Sequence, residues 1–379
     1  MSMKKNSFKR QLAVVVCMLL CGLSIQAADD GLITDQIVIN KLEAGTLPQR
    51  ISSDEKNLIT NLKINGEING TDLRFIREMA EGSAYVYEPP KGNLSILDLS
   101  GARIISGGDY YYNFFYTKND ELGDCAFFGC NGLTSVTLPS SLTSIGNSAF
   151  DGCSGLTSLT LPSSLTSIGY RAFESCSGLT SLTLPSSLTS IGDNAFYYCR
   201  GLTSVTLPPS LTTIGDEAFA HCHSLASVTF PSSLASIGRK SFAYCYDLKI
   251  LSIPSGITSL RHLMAFSEET IFGDSGLESV YVAWGTPAPA GRFFNGVNIS
   301  KCTLYVPLGT KQAYWEADVW KDFGYTKEYD VTDVNKIDNH SETKEVSRYS
   351  LDGQRLASPT KGINIVRYSD GSIKKEMVE

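Results

Sequence analysis

Apolar residues return at fixed intervals of 23 positions through the middle of the chain. Cys130, Cys153, Cys176, Cys199, Cys222 and Cys245 form one series, and Phe127, Phe150, Phe173, Phe196, Phe219 and Phe242 a second. A third is Pro139, Pro162, Pro185, Pro208, Pro231 and Pro254. A period of this length marks a stack of similar coils. Within one unit, the alternation Leu159-Thr160-Leu161 predicts a short strand with the leucines inward and the threonine outward. Pro162 ends the strand because it has no N–H to give to a ladder. Leu165 and Ile168 bring the apolar signal back on the opposite wall. Gly169 is read as the source of backbone freedom for the next corner, and Ala172 with Phe173 fills the coil. About seven apolar side chains per unit contribute on the order of 10–20 kcal/mol. Ordering each residue costs ~1–2 kcal/mol, so a coil needs its neighbours to stand.

The same strand pattern continues, less regularly, on both sides. Leu62-Lys63-Ile64 and Leu97-Asp98-Leu99 lie upstream, Val280-Tyr281-Val282 and Leu304-Tyr305-Val306 downstream, for ten expected strands. Insertions interrupt the repeat at 107–120, which holds the run Tyr110-Tyr-Tyr-Asn-Phe-Phe-Tyr116, and at 265–276. The apolar ends of such a stack need covers. Residues 71–80 predict a short helix with Thr71 as N-cap and Asp72 at its positive end, its Leu73, Ile76 and Met79 facing the array. Residues 311–323 predict a closing helix bearing Tyr314, Trp320 and Phe323. The division expected is a leader at 1–27, a cap with divergent repeats at 28–120, regular repeats at 121–260, divergent repeats with a cap helix at 261–327, a polar linker at 328–346, and a small antiparallel β module at 347–379.

Charge and termini narrow the functional classes. The chain carries a net charge of −7, which argues against nucleic acid as a partner. Basic Lys4, Lys5, Lys9 and Arg10 precede a short apolar stretch and the small-residue site Ile25-Gln-Ala27, so 1–27 reads as an export signal. No segment is long enough for a transmembrane span in the mature chain. Val16 and Leu20 precede Cys17 and Cys21 where a lipoprotein signal needs a small residue, which favours cleavage after Ala27.

The unit Leu-Pro-Ser-Ser-Leu-Thr-Ser-Ile-Gly-x-x-Ala-Phe-x-x-Cys-x-x-Leu-Thr-Ser-Leu-Thr, repeated over 125–257, closely resembles the BspA-like leucine-rich-repeat family. Looser likeness extends upstream through 68–79 and Leu97-Asp-Leu-Ser100, and downstream through Cys302-Thr-Leu-Tyr-Val-Pro307 and Trp320-Lys-Asp-Phe323. The resemblance implies a leucine-rich-repeat solenoid with parallel strands, capped at both ends. It also implies export to the surface of Gram-negative anaerobes and adhesion to extracellular proteins, and it brings no catalytic residues. The tail, Tyr349-Ser-Leu-Asp-Gly-Gln-Arg-Leu356 and Lys361-Gly-Ile-Asn-Ile-Val366, resembles a secretion sorting module. It departs at Asn364, where that pattern has an aromatic residue, and at its end, Met377-Val-Glu379, which is not basic.

The residues suggest binding chemistry. The Cys series reads as a buried column of reduced thiols acting as small hydrophobes, with cross-linking between coils the alternative, and with Cys125 and Cys302 outside the column. In His221-Cys222-His223 the cysteine points inward and the histidines outward, and no further ligands at zinc spacing follow; neither metal nor cofactor is expected. Nucleophile-elbow, zincin and phosphate-loop motifs are missing from the sequence, so an enzyme is not expected. The outward Ser and Thr columns, Ser135 to Ser227 and Thr137 to Thr229, form a hydroxyl surface that suits solubility or a repetitive ligand such as a glycan or ice. The Tyr110–Tyr116 run suits packing over the cap or a ligand platform. Two columns flanking the inward Cys change character along the stack, from Gly129 and Asn131 to Tyr198, Arg200, His221, His223, Tyr244 and Tyr246. These six are expected to form one patch that binds an extracellular protein, host or bacterial. A glycan-binding accessory of nutrient uptake, or a structural surface-layer component, is the alternative.

Overall fold

A computed structural model describes residues 31–80, 92–257 and 270–331, and beyond these 345–350, 355–356, 358, 362–368 and 373–378. The expected export signal and the first part of the 265–276 insertion, 265–269, lie outside the described residues.

The 23-residue units form a stack of coils, each with three walls. One wall carries the short strands, such as Ser135–Thr137 and Ser158–Thr160, paired in parallel and in register, Val136 against Leu159. A second wall carries two-residue strands at the Ser-Ile positions, running unbroken from Glu121–Leu122 to Ser236–Ile237. The third is a turn wall, where each coil donates three backbone hydrogen bonds to the next. In the second coil these are Ser148 N–H to Tyr170 O, Phe150 N–H to Ala172 O and Gly152 N–H to Glu174 O, at 2.7–2.9 Å. Behind that wall the six repeat Phe rings stack at 5.1–5.3 Å, fully buried.

Ser and Thr are frequent for a reason beyond solubility. Thr166 Oγ1 donates to Thr143 O at 3.0 Å, and Ser187 Oγ to Leu165 O. The same bonds recur in the following coils. Each hydroxyl satisfies a carbonyl of the preceding coil, so it fastens the stack while its methyl or methylene packs. The glycine at the corner plays a different part from the one expected. Gly169 does not have positive φ. Instead a Cβ there would sit 2.8 Å from the carbonyl carbon of Gly146, so the residue is glycine because adjacent backbones touch.

Both caps work by replacing a missing coil. The carbonyls of Asp124, Ala126 and Phe128 occupy the positions that receive N–H donors everywhere else on the turn wall. Tyr111 Oη donates to Asp124 O at 2.8 Å, and Arg77 donates to Ala126 O and Phe128 O at 2.9 and 3.2 Å. Arg77 lies on the helix Gly70–Ala80 and is buried, its guanidinium 4.3 Å from the Tyr112 ring centre. Thr71 is not the N-cap of this helix. Asn69 fills that place, its Oδ1 accepting the Thr71 N–H, and Thr71 Oγ1 instead accepts the Asp109 N–H. Leu73, Ile76 and Met79 are buried as expected, and the Asp72 carboxylate accepts the N–H groups of Gly45, Leu47 and Asn69. At the other end the expected single helix is two pieces, Lys311–Glu316 and a 3₁₀ turn Trp320–Asp322, separated where Val319 takes φ +73°. Its anchors hold: Tyr314 Oη donates to Trp284 O and Trp320 Nε1 to Ala288 O.

The strand wall departs from the expected count and regularity. Among the described residues twelve strands line it, because Ile37–Leu42 and Tyr325–Tyr329 add one at each end. Tyr325–Tyr329 also takes two residues assigned to the linker. The wall is broken, since Ser158–Thr160 does not pair with Ser181–Thr183, nor Ser204–Thr206 with Ser227–Thr229. Leu159 and Leu161 beside the first break are consequently only half-buried. Near the C-terminus four antiparallel strands, from Glu345–Ser350 to Ile373–Val378, form a separate sheet.

The thiol column is buried and reduced. Cys153, Cys176, Cys199, Cys222 and Cys245 each donate S–H to the carbonyl of a Phe in the preceding coil at 3.1–3.3 Å. Cys302, expected to differ, is also buried and free and donates to Leu277 O; Cys125 is half-exposed and free. Burial pushes the column thiols far up, up to about 12 for Cys199 and Cys245, so they are poor nucleophiles. The denatured, unreduced protein should titrate for at least six thiols; two or fewer would show cross-linked coils. Replacing Arg77 with Met should lower stability by about 3 kcal/mol or more, because the carbonyls of Cys125, Ala126 and Phe128 lose a charged donor. An unchanged denaturation midpoint would refute its role as a coil substitute.

Candidate functional site

The candidate patch sits on the turn wall, and its backbone explains why its sequence is informative. The position before each inward Cys adopts left-handed φ in every coil: +72° at Gly129, +77° at Gly152, +59° at Ser175, +59° at Tyr198, +61° at His221 and +58° at Tyr244. This conformation lets the residue's N–H point at the next coil. Glycine meets it without strain, and a side chain costs roughly 1–2 kcal/mol. Tyr198, His221 and Tyr244 therefore stand where the backbone favours glycine.

What they gain is one another. Tyr198 and His221 stack at 4.3 Å and 10°, and His221 and Tyr244 at 4.5 Å and 11°. Arg200 lies 4.8 Å from the Tyr198 ring centre. His223 meets Tyr246 at 4.9 Å and His221 at 5.7 Å. All six expected residues thus form one contiguous surface; Arg200 and Tyr246 are its exposed rim and the other four are half-buried. One member escaped sequence reasoning. Tyr197 packs edge-on against Tyr198 at 4.5 Å and His221 at 5.3 Å. The signal was a third drifting column, Phe128, Asp151, Glu174, Tyr197.

Burial, then the neighbouring charges of His223 and Arg200, lowers the proton affinity of His221; burial and Arg200 lower that of His223. The Nε2 of His223 is buried without a hydrogen-bond partner. Both imidazoles are neutral at pH 7, which suits stacking. Cys222 between them points into the core. Among the described residues, no group of three His, Cys, Asp or Glu could hold a metal ion.

The same edge changes toward the N-terminus. Gly152 and Ser175 leave it open, and Asp151 and Glu174 stack beside them. Burial, then repulsion by Glu174, holds the Asp151 carboxyl up at about 6. Burial also raises Glu174, whose carboxylate Arg171 approaches at 3.0 Å. The Tyr110–Tyr116 run, further along, is a hairpin of Gly107–Tyr112 and Phe115–Thr117. The run splits its duties: Tyr111 is buried in the cap, whereas Phe114, Tyr116 and Tyr110 are exposed at 80%, 57% and 41%.

Two other surfaces offer less. The hydroxyl columns do face solvent on the strand wall, but its two breaks interrupt the regular spacing that a lattice ligand such as ice would need. At the second break an open cleft of about 430 Å³ runs past Val205, Leu207, Pro209, Thr229 and Phe230 and gathers no ionisable group.

These features define a class: a parallel solenoid of leucine-rich coils carrying its chemical variety on one edge. Residues 114–202 and 173–272 match the BspA type leucine rich repeat region, in six copies. Those residues carry that family's repeat. Among solved structures, the chain is similar to a leucine-rich repeat protein from Bacteroides ovatus, with 21% identity, 74% of this chain and 73% of that chain covered, and a TM-score of 0.39. The T. pallidum leucine rich repeat protein shares 19% identity over 81% of this chain and 94% of that one, with a TM-score of 0.30. A leucine rich cell surface protein from Faecalibacterium prausnitzii shares 19% over 68% and 88%, with a TM-score of 0.28. No curated protein gives a match. No helix among the described residues is long and apolar enough to cross a membrane.

The raised Asp151 fixes a sign. Its folded value of about 6 lies above the ordinary 3.8, so the native state holds the proton more tightly, and this carboxyl's contribution falls as pH rises between about 4 and 6. Asp151→Asn should therefore melt higher than the parent at pH 7, with the difference shrinking toward pH 4. A variant that melts lower at pH 7 would contradict the assignment.

Proposed function

We propose that this chain is an exported, surface-exposed binding protein without catalytic activity that holds an extracellular protein through the Tyr198–His221–Tyr244 stack and its rim. The observation that carries the reading is the cost of that stack. Three successive coils place rings on left-handed backbone where the first two coils have glycine, and the rings remain partly exposed. Core packing gains little from them. A partner gains large, rigid contact area with few rotatable bonds, bordered by Arg200 and Tyr246, which are residue types enriched at binding hot spots. His221 is stacked on both faces, by Tyr198 and Tyr244, which holds the rings in place before the partner arrives and lowers the entropy cost of association.

Location follows from the same reading. The leader at 1–27 directs export, the solenoid displays its edge at the cell surface, and the C-terminal antiparallel sheet acts as the sorting module. Adhesion to host matrix or to another bacterium is the role that such an arrangement serves.

The triple variant Tyr198→Ser, Tyr244→Ser and Tyr246→Ser tests the reading. Ser175 already occupies the left-handed position in the third coil, so the fold should persist with an unchanged circular dichroism spectrum. Binding to the protein captured by the parent from a panel of purified extracellular-matrix proteins should weaken by about 2 kcal/mol or more. Equal binding by parent and variant would place the site elsewhere.

A further inference from the structure

We propose that the hairpin at 107–117 is a second, independent binding site, and that its ligand is a neutral saccharide. The hairpin turns through Asn113 and Phe114, at φ +38° and +66°. A two-residue turn of this kind favours Asn followed by Gly. Phe114 takes the glycine position and is the most exposed large apolar residue among those described, at 80%. Its side chain therefore strains the backbone and buries almost nothing within the molecule. The rest of the run is accounted for by the cap, through Tyr111 and Tyr112; Phe114 is not.

The surroundings of Phe114 make a platform. The Tyr110 ring lies 5.5 Å from Phe114 and 6.4 Å from Tyr116. Arg74 lies 4.9 Å from the Tyr110 ring centre, and its Nη2 bonds Asp109 Oδ2 at 3.1 Å, with both side chains partly in solvent. Two arguments select the occupant. The first is area. The three rings, with Phe114 the most exposed of them, offer about 350 Å², well short of the roughly 800 Å² that each partner gives to a stable protein interface. That area suits the apolar face of one or two sugar rings. The second is polarity. Ring faces carry partial negative charge that attracts the polarised C–H groups of a sugar. Beside them, Arg74 supplies several donors and Asp109 acceptors, matching hydroxyls that both give and take hydrogen bonds. Arg74 is paired with Asp109, so the platform has no net positive charge to draw anionic lipid, and the net charge of −7 disfavours an acidic polysaccharide.

The test uses the full exported chain on a printed array of neutral oligosaccharides, beside its Phe114→Gly and Tyr116→Ser variants. The parent should be retained on at least one neutral glycan, and each variant should bind it at least tenfold more weakly. Phe114→Gly should melt no lower than the parent, because glycine suits the turn; this separates a lost ligand contact from a lost fold. The Tyr198, Tyr244 and Tyr246 triple variant should bind the glycan as the parent does, which keeps this site distinct from the aromatic stack. Absence of binding to any neutral glycan, or undiminished binding by Phe114→Gly, overturns the proposal. So does a Phe114-dependent attachment to phosphatidylcholine vesicles or to matrix protein without glycan binding, which would assign the platform to those partners instead.

Discussion

The structure depends on the ladder of backbone hydrogen bonds along the turn wall. Each coil hands three N–H groups to carbonyls of the next, and to aim them it holds two residues per coil in left-handed conformation, as at Ser148 and Gly152. The other two walls follow from this one. Once the turn residues are in register, the Phe rings stack, the thiols meet the carbonyl of the coil before, and the Ser and Thr hydroxyls reach across to theirs. The strand wall can open at two junctions without loss of the stack because the turn wall and the Ser-Ile wall continue past them.

A ladder of this type must end somewhere, and its end leaves three carbonyls unmet. The N-terminal cap answers that with an arginine and a tyrosine in place of a coil. Arg77 is buried, yet its charge is spread over carbonyl partners and the face of Tyr112, so desolvation is offset. The tyrosine-rich insertion is therefore partly structural, and the exposed rings at its tip are what remains for recognition.

The same left-handed requirement makes the binding edge. Where the residue is glycine the edge is low and open; where it is tyrosine or histidine a ring projects from a fixed place every coil. Because the ladder sets the register, rings from consecutive coils fall into stacking contact without any local motif. A binding surface on such a protein is then built by substitution at one repeated position, against a modest backbone penalty, while the core columns stay unchanged.

The sequence by itself determined the period, the inward and outward faces, the buried thiol and phenylalanine columns, and the contiguity of Tyr198, Arg200, His221, His223, Tyr244 and Tyr246. The physical reason is that residues 23 apart are neighbours in every coil, so linear pattern reads directly as contact. Only the tertiary structure decided what repetition does not encode. The strands Ile37–Leu42 and Tyr325–Tyr329 lack the repeat's markers and join the wall through pairing. The donors from Arg77 and Tyr111 come from 13 to 51 positions away and depend on where the cap docks. The breaks lie between strands of near-identical sequence, so the repeat does not locate them. Gly169 and Tyr198 both looked like local choices; close backbone contact explains the first, and a left-handed hydrogen-bond ladder makes the second costly.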